Sequence, residues 1–436
     1  MLKIKENFIY VPYILIALIP ITLITGPAVP DLSLFVVCLI FIIYLYKYNI
    51  NLLSNNFSYY SLFFWICLLL LNLVSLNFYK SFGESFIFGR MLLLPIIMYL
   101  WLLKTNKLIK NVILIVLFAN LIVLFDSIYQ FLNYHPLNGF GDDIFSRKAE
   151  IYGRLSGPFL DMVPGSYIAK FFIFGFIGIT ILFDKKIIFL VISIIYLSLC
   201  GYLTFISGER MAAATFFLAM ILSTTLLKNY RIIFIISSII CLAICYLTIN
   251  LHDHYNNFKV IDSKPGHLGL TIEKFDPNCN QLSECKKLIN VQPNFLEVLK
   301  NFDQSAYYET YSLSLEMVKS YPLTGIGMNN FNYGCKFVEE FKRERCWSHP
   351  HNFYLQWLTE NGLIGFLCFI IYVAFIFYIV ISSKNFAYKN YSFIALSVIF
   401  WPIMSTGSLL KNWHGIETFF IIGLSLSLLN FNKENN

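Results

Sequence analysis

Charge is scarce in this chain. Only 13% of its 436 residues are Asp, Glu, Lys or Arg, while 58% are apolar; an ordinary soluble domain carries about 25% charged residues. A soluble core has no room for so much apolar surface, so the composition excludes a soluble enzyme and implies a chain that crosses a bilayer many times. Arginine is rarer still, at seven residues against 25 lysines. No glycine-rich dinucleotide fingerprint, Walker loop or solenoid-period repeat occurs, which removes the architectures those patterns build. Long polar sequence is nearly absent too, with a single run at about 251–350.

Stretches long enough to cross ~30 Å of hydrocarbon as helices run over about 8–25, 31–46, 59–76, 86–103, 111–132, 163–183, 187–206, 211–227, 232–250, 352–381, 391–406 and 415–430. The expected fold is therefore an all-α integral membrane protein of about twelve transmembrane helices. Nine lie in 1–250 and three in 351–436, with 251–350 forming one large loop domain that contains short helices. Lys3, Lys5, Lys47, Lys104, Lys107, Lys110, Lys185, Lys186, Lys228, Arg231, Lys384, Lys389 and Lys433 fall on one set of short connections. By the positive-inside rule that side is cytoplasmic, both termini lie there, and the long loop faces outward. The first stretch lacks a small-residue cleavage site behind its basic start, so it reads as a retained helix. The formal net charge of +7 is then a topology signal, with the lipid bilayer as partner and no nucleic acid implied.

The remaining six arginines, Arg90, Arg147, Arg154, Arg210, Arg343 and Arg345, and all seven histidines fall at or beyond the outer interface. Lysine suffices to anchor a loop, whereas arginine offers a planar, permanently charged fork that grips phosphate or carboxylate. Such forks beside a membrane point to an anionic substrate, for instance a lipid diphosphate. Arg343 and Arg345 also have Glu339, Glu340 and Glu344 close by for plain ion pairs. Six of the ten cysteines sit in apolar stretches; the other four, Cys279, Cys285, Cys335 and Cys346, lie in the long loop. An even number confined to an exported segment reads as disulfides, with nearest-neighbour pairing favoured and the other connectivities open. Within the loop, Ser305 to Tyr321 has helical apolar spacing ended by Pro322.

The densest chemistry follows at Arg343-Glu344-Arg345-Cys346-Trp347-Ser348-His349-Pro350-His351-Asn352. It is preceded by Tyr321-Pro322-Leu323-Thr324-Gly325-Ile326-Gly327-Met328-Asn329-Asn330-Phe331 and followed by Glu360-Asn361-Gly362-Leu363-Ile364-Gly365. Upstream stand Arg154-Leu155-Ser156-Gly157-Pro158-Phe159 and Ser207-Gly208-Glu209-Arg210. Together these segments resemble the signature of the O-antigen ligase and polymerase superfamily.

That resemblance implies glycosyl transfer at the outer face of a bacterial inner membrane, without metal or cofactor. The donor is a glycan on undecaprenyl diphosphate, and the acceptor is a lipid A-core sugar hydroxyl for a ligase or another lipid-linked repeat for a polymerase. The attacking hydroxyl must lose a proton, which suits a histidine with an unperturbed pKa of about 6.5. His351, in the family's His-Asn motif, is the expected base, with His349 as partner or substitute. Arg210 is the expected stabiliser of the departing diphosphate. Arg154 and Lys170 are further diphosphate ligands, and Glu209 and Asn352 orient their neighbours; with nearest-neighbour pairing of the loop cysteines, a Cys335–Cys346 bridge would brace the stretch before His349. Ligases of this kind commonly carry an arginine about fifteen residues before the proline of the Pro-x-x-Gly-x-Gly run. Here that place reads Ser305-Ala306-Tyr307-Tyr308-Glu309, leaving Arg343, Arg345 or Arg90 to supply the second positive group.

Other clusters read more plainly. His252-Asp253-His254 lacks further spaced metal ligands, and Asp142-Asp143 lacks Asp-x-Asp spacing and reads as a turn. A transporter of lipid-linked glycans is the rival class, since twelve spans suit it. Transporters, however, usually show paired halves with interrupted helices near the midplane, whereas here the polar chemistry gathers at one surface.

Overall fold

A computed structural model describes residues 9–263, 270–276, 285–291, 300, 302–385, 388–403 and 407–431. In chain order the helices begin with α1 (Tyr10–Ala17), α2 (Ala28–Lys47), α3 (Asn56–Leu71), α4 (Phe78–Ile97) and α5 (Asn106–Leu132). A hairpin of β1 (Tyr134–His135) and β2 (Gly139–Phe140) leads to α6 (Pro164–Leu182), α7 (Lys186–Ile206), α8 (Arg210–Leu226) and α9 (Arg231–Leu251). Next come β3 (Phe258–Ser263), β4 (Leu270–Phe275) and β5 (Lys286–Val291), then α10 (Ala306–Ser320) and α11 (Phe331–Phe337). The chain closes with α12 (Phe353–Ser382), α13 (Lys389–Ile399) and α14 (Asn412–Leu428).

The protein is mostly helical, and eight of the described helices are long and apolar enough to cross a membrane: α2 to α7, α9 and α12, some together with a flanking turn. The other expected crossings are shorter. Helix α8 has 17 residues, α13 has 11 and α14 has 17. The first apolar stretch is broken into α1, a four-residue helix at Ile19–Thr22 and a turn at Leu23–Thr25. Pro20 stands at that break, and proline cannot donate the hydrogen bond that would continue the preceding helix.

The all-α expectation needs correcting in the loop, which holds a three-stranded antiparallel sheet in the order β3-β4-β5. Ile272 on the central strand lies opposite Val260 on one side and Ile289 on the other. Ile272 and Ile289 are buried, so a row of β-branched cross-strand neighbours supplies the packing. Lys274, fully buried, donates from Nζ to the carbonyls of Asp253, His254 and Asn256 at 2.7, 2.9 and 2.6 Å, closing the turn after α9. Burial lowers its pKa to about 8. Cys279 lies outside the described residues, and Cys285 is disulfide-bonded.

Contacts divide the chain into two compact units, Met1–Val112 with Tyr307–Asn436, and Ile113–Ala306. In the first, α4 packs on α2, α3 and α14, and α12 packs on α3 and α13. A polar knot joins α2, α4 and α14: Arg90 bonds to Asp31 at 2.9 Å and Asn412 at 2.8 Å, and Asn412 donates to Asp31 at 3.0 Å. In the second, α7 lies between α6 and α9, and α8 touches all three. The Asn120 amide on α5 donates to the Phe171 carbonyl at 3.2 Å and to Tyr196 Oη at 2.8 Å. Inside an apolar bundle such bonds fix register, because the alternative is an unsatisfied polar group.

Candidate active site

The chemistry expected from the sequence falls into two clusters, one in each unit. In Ile113–Ala306 the cluster forms at the amino end of α6. The first helical turn leaves its N–H groups without carbonyl partners, and the Glu209 carboxylate accepts from Gly165 N at 2.7 Å and Ser166 N at 3.2 Å. Gly165 is required by this approach, since a Cβ there would run into Ser207 Oγ and Glu209 Oε1. Burial pushes the Glu209 carboxyl up to about 7, opposed by the positive charge of Arg154, the two amides and Lys170. Arg154 donates to the Gly208 carbonyl at 2.9 Å, while its Nε makes no hydrogen bond among the described residues. Arg210 is the first residue of α8. Arg154, Lys170 and Glu209 are thus brought together around one helix terminus, with Arg210 next in chain to Glu209.

Gln130, near the end of α5, holds the loop that carries Arg154. Its Oε1 accepts from Ser156 N at 3.0 Å and Gly157 N at 2.9 Å, and its Nε2 donates to Ser156 Oγ at 2.9 Å. The sequence reading passed over Gln130, although a glutamine in an apolar span is itself a signal. Arg147 bonds to the Pro158 carbonyl, a loop-bracing role.

In the other unit the Pro-x-x-Gly-x-Gly run proves to be a scaffold. It lies along a break in α12 at Gly362, whose φ and ψ are 61° and −170°. Leu363 N and Ile364 N donate to the Pro322 and Leu323 carbonyls at 2.8 and 3.1 Å. In return, Ile326 N and Gly327 N donate to the carbonyls of Thr359 and Glu360 at 3.1 and 2.7 Å. Backbone freed by the break is therefore satisfied by the motif strand, as buried backbone requires. Asn72 accepts from Met328 N at 2.7 Å, the Glu360 carboxylate accepts from Gln356 Nε2 at 3.0 Å, and Asn329 donates to Glu84 at 2.9 Å. A Cβ on Gly362 would meet the Leu323 carbonyl, and its backbone region is almost exclusive to glycine. Gly362→Ala is expected to cost about 3 kcal/mol or more. A melting temperature equal to the wild type's would refute that strain.

This scaffold presents the histidines. His349 is buried and shares a 2.8 Å hydrogen bond through Nδ1 with Ser348 Oγ. Its ring centroid lies 4.5 Å from that of His351, and the Tyr307 ring stands edge-on to His351 at 6.1 Å. His351 has a left-handed backbone, φ 56°, a conformation that a non-glycine residue keeps only when its surroundings enforce it. Asn352 provides that hold: its Oδ1 accepts from Leu355 N at 3.0 Å as the cap of α12, and its Nδ2 donates to the Pro402 carbonyl at 3.0 Å. Burial, together with the charge of Lys411, lowers the His351 pKa.

The remaining arginines of this unit are engaged. Arg343 pairs with Glu316, and Arg345 lies 5.0 Å from the Trp347 ring in cation–π geometry; Arg90 is in the knot described above. Cys335 and Cys346 are disulfide-bonded, and Cys335 belongs to a buried core with Leu313, Met317, Ile326, Phe331 and Phe341. Closing a loop of this length stabilises by about 2–4 kcal/mol. Reductant should therefore lower the melting temperature of the wild type by several degrees, and that of a Cys335→Ser/Cys346→Ser variant, which keeps the Cys285 disulfide, by less. Equal sensitivity in the two would assign the effect elsewhere. Among the described residues, no group of three or more His, Cys, Asp or Glu is placed to hold a metal ion.

Residues 195–370 match the family model for O-antigen ligase. That stretch is similar to O-antigen ligases. That segment runs from within α7 to the middle of α12, so it includes Glu209, Arg210, the disulfide, His349 and His351 but neither Arg154 nor Lys170. The family points to a membrane enzyme that transfers glycans. No protein among the curated sequences matches the chain.

Proposed function

We propose that this protein transfers a glycan from undecaprenyl diphosphate to a sugar hydroxyl of lipid A-core, at the periplasmic face of a bacterial inner membrane. The observation that carries the reading is the O-antigen ligase match across the segment holding Arg210, His349 and His351. In this mechanism the acceptor hydroxyl gives its proton to His351 while its oxygen attacks the anomeric carbon. The bond from that carbon to the diphosphate oxygen breaks, and the diphosphate leaves with the electron pair. A lowered pKa keeps His351 neutral near pH 7, the form that can accept a proton. Arg210, with Arg154 and Lys170 at the amino end of α6, supplies positive charge for the leaving group, where preorganised donors act most strongly. His349 steadies the His351 ring, and Asn352 fixes its backbone.

A polymerase uses the same donor and chemistry, with another lipid-linked repeat as acceptor. The deciding experiment is a gel profile of lipopolysaccharide from a strain lacking the gene, beside the complemented strain. Bare core with long glycan accumulating on the lipid carrier means a ligase, and core bearing a single repeat means a polymerase. An unchanged ladder would remove both acceptors from consideration.

A further inference from the structure

A cleft outside both histidine and arginine clusters offers chemistry that the mechanism does not use. It has a volume of about 610 Å³ and is lined by Tyr129, Asn133, Asp142, Asp143, Ile144 and Ser146, where the end of α5 meets the turn at 142–147. From these residues we infer that the cleft is a subsite for a neutral or amino sugar of one of the two glycans. The inference rests on the proposed glycan transfer and deepens it.

The volume falls within the roughly 300–1,000 Å³ range of small-ligand sites. The Tyr129 ring is 47% exposed, giving a flat apolar face of the kind that covers the C–H side of a pyranose. Around it stand the acceptor-only carboxylate of Asp142, the Asn133 amide and the Ser146 hydroxyl, all on exposed residues. A sugar ring presents hydroxyl donors at its edge and C–H groups on its face. Hydroxyls bonded to a carboxylate make the stronger, charge-assisted kind of hydrogen bond.

Asp143 adds a second, independent sign. Its residue is 3% exposed, and Oδ1 accepts from Arg147 N at 2.5 Å, but buried Oδ2 has no hydrogen bond among the described residues. A buried carboxylate oxygen without a donor is costly, and a small turn of the Asp143 side chain towards the cleft would let a bound hydroxyl satisfy it. The wall is already fixed. Asp126 accepts from Ile144 N at 2.9 Å, Asp143 N donates to the Arg147 carbonyl at 2.8 Å, and Ser146 sits at φ 60°. A preformed site loses less on binding.

The sign of the charge narrows the ligand. Two of the six lining residues are aspartates and none is Lys or Arg, so a diphosphate or an acidic sugar is repelled. A bare divalent cation is the rival occupant. The described residues provide no group of three His, Cys, Asp or Glu ligands for it, which favours the sugar.

The test uses the full chain in nanodiscs and two variants, Asp142→Ala and Tyr129→Ala. Saturation-transfer NMR with glucose, glucosamine and glucuronate should detect the first two sugars and not the third. Each variant should weaken that binding about 10-fold or more, the loss expected for one charge-assisted bond or one stacked ring. In the transfer assay, the KM for either donor or acceptor should rise by a similar factor with kcat nearly unchanged. Which KM moves identifies the glycan that occupies the cleft. Sugar binding and both KM values equal to wild type in both variants would overturn the inference. So would calcium binding, followed by titration calorimetry, that Asp142→Ala removes while sugar binding persists. A wild-type protein that binds sugars yet transfers none would instead count against the transferase reading.

Discussion

Replacing His351 with alanine is expected to leave membrane insertion intact and to reduce glycan transfer by about 10²–10⁴-fold, the usual worth of a general base. The substitution removes an imidazole held by the Asn352 cap and flanked by His349 and Tyr307. Alanine at φ 56° carries a backbone cost of its own, so His351→Asn, a residue that tolerates this region, separates strain from chemistry. Both variants should lose transfer, and only the alanine should also lose stability. Normal product from the asparagine variant would remove His351 from the mechanism.

The same assignment fixes a pH dependence. A base works only when neutral, so transfer should fall as pH drops through the His351 pKa. Burial and the Lys411 charge hold that pKa below its ordinary value, which places the fall below about pH 6.5. Lys411→Met removes the repelling charge, so the pKa should rise and the acid limb should move to higher pH while the neutral plateau is little changed. A limb that stays put, or moves lower, would mean that another group controls the profile.

Much of this arrangement was legible in the chain, and most of what was missed shares one cause. Apolar runs mark helices because each is a local pattern, and the spacing over Ser305 to Tyr321 marks α10 for the same reason. The motif around Gly325, Gly327 and Gly362 also stood out by composition. Its purpose did not, because the backbone bonds from Leu363 and Ile364 to Pro322 and Leu323 join segments about forty residues apart. Pairing over that separation has no local code. Arg90 and Asp31 are a similar case: each reads alone as a charge near the end of a span, and only packing makes them an ion pair. The sheet is harder to read, since only Leu270-Thr271-Ile272-Glu273 in β4 alternates, whereas β3 and β5 break the alternation at Val260-Ile261 and Leu288-Ile289. It was obscured by the lysines in Lys286-Lys287 and Lys259, which make the segment resemble an ordinary polar loop. For the arginines the sequence supplied the residues but not their engagement, with Arg343 on Glu316 and Arg345 on Trp347.

The site assignment, with Arg343 held by Glu316 in the other unit, sets the order of effects expected among the cations. Arg210→Ala is expected to cut transfer by about 10²–10³-fold, the loss that follows removal of one preorganised oxyanion donor. Arg210→Lys should recover only part of it, because an ammonium restores the charge without the planar fork. Arg154→Ala should also lower transfer and carries a distinguishing signature at Glu209. Arg154 is the largest electrostatic influence opposing the burial that pushes Glu209 up to about 7. Without it, Glu209 should titrate higher and remain protonated through neutral pH. Folded Glu209 already binds its proton more tightly than an unfolded glutamate, whose pKa is about 4.3. Its contribution to stability is therefore present at low pH and is lost as pH rises towards about 7. In Arg154→Ala that loss should extend further up the pH scale, so the melting temperature should keep falling where the wild type's has levelled. Arg343→Ala, by contrast, breaks a half-exposed ion pair with Glu316 and should change transfer by less than about 3-fold if that pair is its whole role. If the Arg343 variant lost as much transfer as Arg210→Ala, the second positive group would belong in the loop before His349, and the Glu316 pair would not be its whole role.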